Sequence, residues 1–186
     1  MRKRKISFVL FLFTLLFLAI YFFESDLYLI HPKKNLTGYE KEKLLKEAWM
    51  SLGTLDVPVG ALLLYNDSIL SLGHNTVLID SNASGHAEIN AINNAIRKIG
   101  FDAFSKLDRD KLILVSTFEP CMMCRGAMIE YNIRHAVFMK EKGLFQWLKN
   151  DLKQWRYEWN KTKSDGSALQ DSLFFLHPKY RRQNLR

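Results

Sequence analysis

Cysteine is scarce. Only two occur in 186 residues, at Cys121 and Cys124, so no second pair exists to complete a four-cysteine structural site. Internal repeats and low-complexity segments are missing as well. Nothing divides the chain into two domains, and its length suits one domain with a real core plus appendages. The middle of the chain also lacks excess positive charge, although the formal net charge is +8. Four Lys/Arg crowd residues 2–5, and residues 140–186 hold eleven Lys/Arg against five Asp/Glu. Taking these from totals of 27 basic and 19 acidic residues leaves residues 6–139 with twelve against fourteen, a net of −2. A polyanion would therefore have to be held by the C-terminal extension and not by this body.

Two short pieces organise what remains: His86-Ala87-Glu88, and Pro120-Cys121-Met122-Met123-Cys124. A hydrolytic zinc needs three nitrogen or sulfur ligands and a fourth position open for water. His86, Cys121 and Cys124 supply that count, with Glu88 left as a carboxylate beside the metal. A helix starting near His86 would hold Glu88 in its first turn, and one starting at Pro120 would set Cys121 and Cys124 at i and i+3 on one face. Both ligand groups then lie at positive helix ends, which favours thiolates. Each piece alone is weaker. A Cys-x-x-Cys pair also fits a redox couple, half of a structural site or a disulfide, and a lone His86 fits a capping or core histidine.

Residues 1–30 read as a basic stub followed by an uncharged Leu/Phe/Ile run, Ile6–Phe23. At about 1.5 Å per residue the run nearly matches the hydrocarbon thickness, and no small-x-small cleavage pattern follows it. The expectation is an uncleaved single-pass transmembrane helix. Basic residues before it and Glu24 and Asp26 after it set the N-terminus in the cytoplasm and the rest outside. Four Asn-x-Ser/Thr triplets would be glycan acceptors in a eukaryotic secretory pathway. Asn82, near the zinc histidine, makes a glycan obstructive and favours a bacterial envelope.

Residues 31–38 read as a linker, 39–160 as the zinc domain and 161–186 as a basic extension. Tyr39–Leu52 has helical apolar spacing. Val57–Tyr65 and Ser68–His74 form a hairpin around Asn66-Asp67, and Thr76–Ser84 is an irregular loop. His86–Ile99 is an amphipathic helix. Leu112–Thr117 and His135–Met139 are strands joined through the cysteine helix, which implies parallel pairing. Leu144, Trp147, Leu148, Leu152, Trp155 and Trp159 mark a further amphipathic helix whose tryptophans serve core or subunit packing in preference to base stacking.

His-x-Glu followed by Pro-Cys-x-x-Cys is the signature of the zinc deaminases. From about Val57 to Met139 the chain resembles the cytidine and deoxycytidylate deaminase superfamily, and within it the tRNA adenosine deaminase and guanine deaminase branch. Val57-Pro58-Val59-Gly60-Ala61, Glu119 through Cys124 and Gly126-Ala127-Met128 carry the resemblance. It implies an α/β fold, a three-layer α/β/α domain around a mixed five-stranded sheet, here preceded by the N-terminal transmembrane helix, and a possible homodimer. It also implies one zinc per chain on His86, Cys121 and Cys124, Glu88 as proton shuttle, and substrate contacts at Asn75 and Ala61. Ser84-Gly85 departs from the Thr-Ala usual before the histidine, and a membrane anchor is foreign to both groups. The expected activity is hydrolytic release of ammonia from an amino-bearing base, nucleoside or nucleotide, RNA being the less favoured partner. A tRNA wobble adenosine deaminase and a membrane-anchored, zinc-stabilised binding module without catalysis are the competing readings.

Overall fold

The structure, a computed structural model, describes residues 10–18, 35–162 and 167–176. β1 (Gly60–Tyr65) is Gly-Ala-Leu-Leu-Leu-Tyr, without polar alternation, because both of its faces are covered. Ala61 and Leu63 join Ala87, Ala91, Leu114 and Met128 on one side, while Leu62 and Leu64 join Leu44 and Val115 on the other. The chain turns at Asn66 and Asp67, both at positive φ (53° and 57°), the backbone that lets a two-residue hairpin follow the strand twist. β2 (Ser68–His74) then returns antiparallel to β1. β1 starts three residues later than the apolar run suggests. Pro58 has no N–H for a ladder, and Val59 N–H folds back to the Val57 carbonyl.

β3 (Leu112–Phe118) pairs antiparallel with β1, and β4 (His135–Lys140) pairs parallel with β3. The sheet order is β2-β1-β3-β4. α2 (Gly38–Gly53) opens with a reciprocal cap between Thr37 and Glu40 and covers the Leu62/Leu64 face through Leu44. α3 (Ala87–Ile99) and α5 (Met122–Glu130) cover the opposite face, joined by short α4 (Phe101–Ser105), whose Phe104 meets Tyr131 edge to face. Helices thus flank both faces of the sheet. α3 lies directly on β2: a Cβ added at Gly73 would come within 2.4 Å of the Ala87 carbonyl and the Ala91 N. That contact fixes the start of α3, where His86 stands.

The outer edge of β2 is closed from α3. Asn90, Asn94 and Lys98, one turn apart, donate to the carbonyls of His74, Leu72 and Leu70 at 2.8, 2.8 and 2.9 Å. Side chains here do the work that a neighbouring strand would otherwise do.

Three expectations are corrected. The sheet has four strands and not five. After β4 the apolar spacing is helical, and the chain forms α6 (Leu144–Asn160) and α7 (Ser167–Leu176), so among the described residues no strand follows to pair with β4. The transmembrane helix expected over Ile6–Phe23 is not borne out, since no helix among the described residues is long and apolar enough to cross a membrane. The helix α1 is described over residues 10–18 only. The rest of that run lies outside the described residues. The single-pass envelope location and the membrane as partner rested on this span and fall with it. Leu152, Trp155 and Trp159 on α6 are exposed, so of the two packing roles expected for this row, subunit packing is the one these residues leave open. The basic tail, Lys179–Arg186, lies outside the described residues.

Candidate active site

His86 is the N-cap of α3 and Cys121 the N-cap of α5. An N-cap side chain ordinarily accepts a hydrogen bond from the first turn of its own helix. Neither does so here, and both turn toward each other. The end of α3 is served from elsewhere: Ala87 N–H donates to Asn75 Oδ1 at 2.8 Å, so β2 caps the helix and frees the imidazole. The helix expected to begin at Pro120 begins at Met122, leaving Cys121 as cap and Cys124 inside the first turn.

His86 Nδ1 lies 3.5 Å from Cys121 Sγ and 3.6 Å from Cys124 Sγ, and the sulfurs are 3.5 Å apart. Zinc bonds of about 2.3 Å to sulfur and 2.0–2.1 Å to nitrogen at tetrahedral angles require separations of about 3.6 Å for N···S and 3.8 Å for S···S. The three atoms therefore fit three corners of a zinc tetrahedron and leave the fourth open. Their chemistry agrees with that fit. The hydrogen bond shared with Cys124 pulls the Cys121 thiol down to about 5, with help from the two helix-start amides and His86. The same sharing, then burial, pushes Cys124 up. Without metal the pair holds one proton between two sulfurs, an arrangement a divalent cation replaces.

Glu88 is buried in the first turn of α3. Burial pushes its carboxyl above the usual range, and its own backbone N–H, the hydrogen bond from Cys124 and the charge of His86 offset this only in part. Cys124 Sγ lies 3.4 Å from Oε2, and the fully buried Ser116 hydroxyl lies 3.4 Å from Oε1. This carboxyl has no salt-bridge partner among the described residues.

A cleft of about 460 Å³ opens beside these groups, lined by His86, Glu88, Cys121 and Asn75. Asn75 Oδ1 is taken by Ala87, whereas its Nδ2 has no protein partner among the described residues. Ala61 is different. It is fully buried in the core with Ala87 and Ala91 and does not line the cleft.

Sequence reasoning missed four residues that shape this place. Asp56, at the end of α2, accepts Leu78 N–H at 2.8 Å and the Thr54 hydroxyl at 3.0 Å. Burial pushes its carboxyl up, yet these bonds outweigh it and hold the group below the usual range. Asn90 Nδ2 reaches Thr76 Oγ1 at 2.9 Å in addition to the His74 carbonyl, gripping the residues on both sides of Asn75. Ser116 and Lys142 are the others. Only Ser116 left a signal, as a polar residue inside the apolar β3 run. The Thr76–Ser84 loop is held by its own backbone bonds, among them Thr76 to Gly85 and Asn82 to Val77. A Cβ at position 85 would meet Thr76 Oγ1 at 2.9 Å, a local reason for glycine there.

Residues 38–140 match the family described as the cytidine and deoxycytidylate deaminase zinc-binding region. A tRNA-specific adenosine deaminase of Buchnera aphidicola subsp. Schizaphis graminum is 34% identical over 106 residues, covering 57% of this chain and 67% of that protein. Its counterpart from Buchnera aphidicola subsp. Baizongia pistaciae is 37% identical over 83 residues, 45% of this chain and 48% of that one. The X-ray structure of guanine deaminase from Bacillus subtilis shares the fold, with a TM-score of 0.51 at 24% identity over 67% of this chain and 76% of that chain. The chain thus spans from about half to two thirds of the length of these curated relatives. The resemblance to the tRNA adenosine and guanine deaminase branch is borne out, as is a region built for one zinc.

Proposed function

The chain belongs to the cytidine and deoxycytidylate deaminase family, and we propose that it hydrolyses the exocyclic amino group of a nucleobase, carried in a nucleoside or nucleotide, to release ammonia and the keto base. The observation that carries this reading is the conjunction of three zinc-spaced ligand atoms with a buried carboxyl that the ligand set does not consume. His86, Cys121 and Cys124 would hold the zinc. When bound there, it would acidify a water in its open position.

The chain's own groups account for the proton traffic. Glu88 is raised by burial, so its carboxyl can take up one proton of the attacking water at Oε2 and give it to a ring nitrogen, then take up the second, from the hydroxyl added to the ring carbon, and give it to the departing amine. Ser116 orients the carboxyl from Oε1, leaving Oε2 for the exchange. Asn75 offers its free Nδ2 hydrogens to a base or sugar acceptor while its Oδ1 stays fixed on α3. Ala61 contributes by its size: a larger side chain would press on Ala87 and shift the helix start that carries His86. The bounds 39–160 for the zinc domain and a homodimer belong to the same proposal. Light scattering on the purified chain reads the dimer.

A tRNA adenosine is the second reading for the substrate, favoured by the names of the relatives. A binding module that uses zinc only to hold its fold has no use for a buried, proton-exchanging Glu88. The test is ammonia release by the zinc-loaded chain across bases, nucleosides, nucleotides and an anticodon stem-loop. Release from at least one amino-bearing member supports the proposal, and tight binding of a member with no release from any would move the reading to the module.

A further inference from the structure

The charged side chains that line the cleft differ in what they have left to offer a ligand. Asp56 is spent on Leu78 N–H and the Thr54 hydroxyl. Glu119, buried, accepts the Lys142 N–H at 2.8 Å. Glu88 faces Cys124 and Ser116. Lys142 is built the other way round. Its backbone is pinned by Glu119, and its Nζ donates to the Pro120 carbonyl at 2.8 Å and stands 5.9 Å from the Phe118 ring centroid. An ammonium has three N–H donors. One is used, and no carboxylate pairs with it among the described residues. Two N–H groups and a full positive charge therefore remain on a wall of the cleft, tied through Pro120 to the segment that carries Cys121.

What such a group recognises is an anion at a fixed distance from the reacting end. The neighbouring walls, Leu55, Val57 and Leu78, are apolar and suit a base or the face of a sugar. The cleft, at about 460 Å³, has room for more than a base. We propose that Lys142 binds a phosphate of the substrate, so that this site takes a phosphorylated nucleoside unit, free or within RNA, in preference to a free base or an unphosphorylated nucleoside. The inference rests on the deaminase reading for the reaction and adds the substrate class. Ammonium-to-phosphate contacts are charge-assisted and short, and lysine meets phosphate as a point charge.

The experiment uses the full zinc-loaded chain and two variants, Lys142→Gln and Lys142→Arg. Ammonia release is measured for adenosine, guanosine and cytidine, for their 5′-monophosphates, and for an anticodon stem-loop. The expected result is a preference for phosphate-bearing compounds. Lys142→Gln should raise KM for those compounds about 10- to 100-fold with kcat nearly kept, leave nucleosides within about 3-fold, and reduce the salt dependence of stem-loop binding by about one phosphate contact. Lys142→Arg should restore most of the loss. A margin seen with mononucleotides identifies a free nucleotide as the source of the phosphate, and one confined to the stem-loop identifies RNA. Either supports the inference. Equal use of nucleosides and nucleotides, or equal losses for both in Lys142→Gln, overturns it. If no compound releases ammonia, the deaminase reading fails. Equilibrium binding of the same compounds then decides on Lys142: nucleotide bound over nucleoside, with the margin lost in Lys142→Gln, supports it, and equal binding overturns it.

Discussion

The inner end of the cleft and its outer wall use the same kinds of side chain to opposite ends. At the wall, Asp56 and Glu119 give their carboxylate oxygens to backbone N–H groups and hold turns in place. At the inner end, the buried Glu88 meets a thiol, a hydroxyl and one backbone N–H, its own, and its carboxyl moves up where that of Asp56 moves down. Burial acts on both. What separates them is how much opposes it: Asp56 has the backbone N–H groups of Leu78, Ile79 and Val77 and the Thr54 hydroxyl to hold the anion, whereas Glu88 has one backbone N–H and the Cys124 thiol. The helix ends differ in the same sense. Thr37 spends its side chain on capping α2, while His86 and Cys121 make no cap hydrogen bond of that kind and lie 3.5 Å from each other. The acidic side chains of the wall are held mainly by the backbone, and the side chains of the inner end mainly meet one another.

The strongest way to break this division is at the inner end. Cys124→Ala should lower zinc from about one per chain to near none and reduce the melting temperature, because binding free energy at such a site is part of folding free energy. Metal analysis and a thermal melt check it, and full zinc would remove Cys124 from the ligand set. The wall should respond without losing metal. Asp56→Ala leaves Leu78 N–H and Thr54 without their acceptor, at about 1–3 kcal/mol. Substrate KM should rise about 10-fold or more while zinc content and kcat stay near normal, and loss of zinc would mean that wall and inner end are not separable.

A smaller effect is expected at Asn90, which serves β2 and the Asn75 segment together. Asn90→Ala removes bonds worth about 1 kcal/mol each and should speed amide exchange at Thr76 and neighbouring loop positions, with the melting temperature down by a few degrees. Unchanged exchange would show that the loop holds itself. Smallest is a proton count. With Cys121 already a thiolate above about pH 5, zinc uptake at pH 7 should release about one proton from the cysteine pair, that of Cys124. Because the folded pKa of Cys121 is depressed, the stability it contributes is present above its ordinary value of 9.0 and is lost as pH falls through about 5. Calorimetry in buffers of differing ionisation enthalpy measures the count, and two protons would mean that the sulfurs do not share one.

The metal site was legible in the sequence because each half sits at one helix start and is a local pattern. The hairpin was legible for the same reason, from Asn66-Asp67 between two apolar runs. The wall was not. Asp56 to Leu78, Glu119 to Lys142 and Ser116 to Glu88 join residues about twenty to thirty positions apart, and none of these residue types is unusual where it stands. Asn90 and Asn94 looked like the polar face of an amphipathic helix, and only the packed structure shows them turned onto β2. The five-stranded sheet came from resemblance. The residues themselves pointed the other way, since Leu144, Leu148, Leu152, Trp155 and Trp159 follow a helical period and form α6. The transmembrane reading of Ile6–Phe23 came from composition alone, and no helix among the described residues is long and apolar enough to cross a membrane.

Glu88→Gln tests the division between holding and reacting most directly. Glutamine keeps the size and most of the hydrogen-bonding shape of glutamate but cannot relay a proton. Zinc content and ammonia release are measured on the same purified variant. The account predicts about one zinc per chain, as in the wild type, with ammonia release lower by at least about 10³-fold, near the upper part of the range for general acid–base help. Release at close to the wild-type rate from a zinc-loaded Glu88→Gln protein would contradict it.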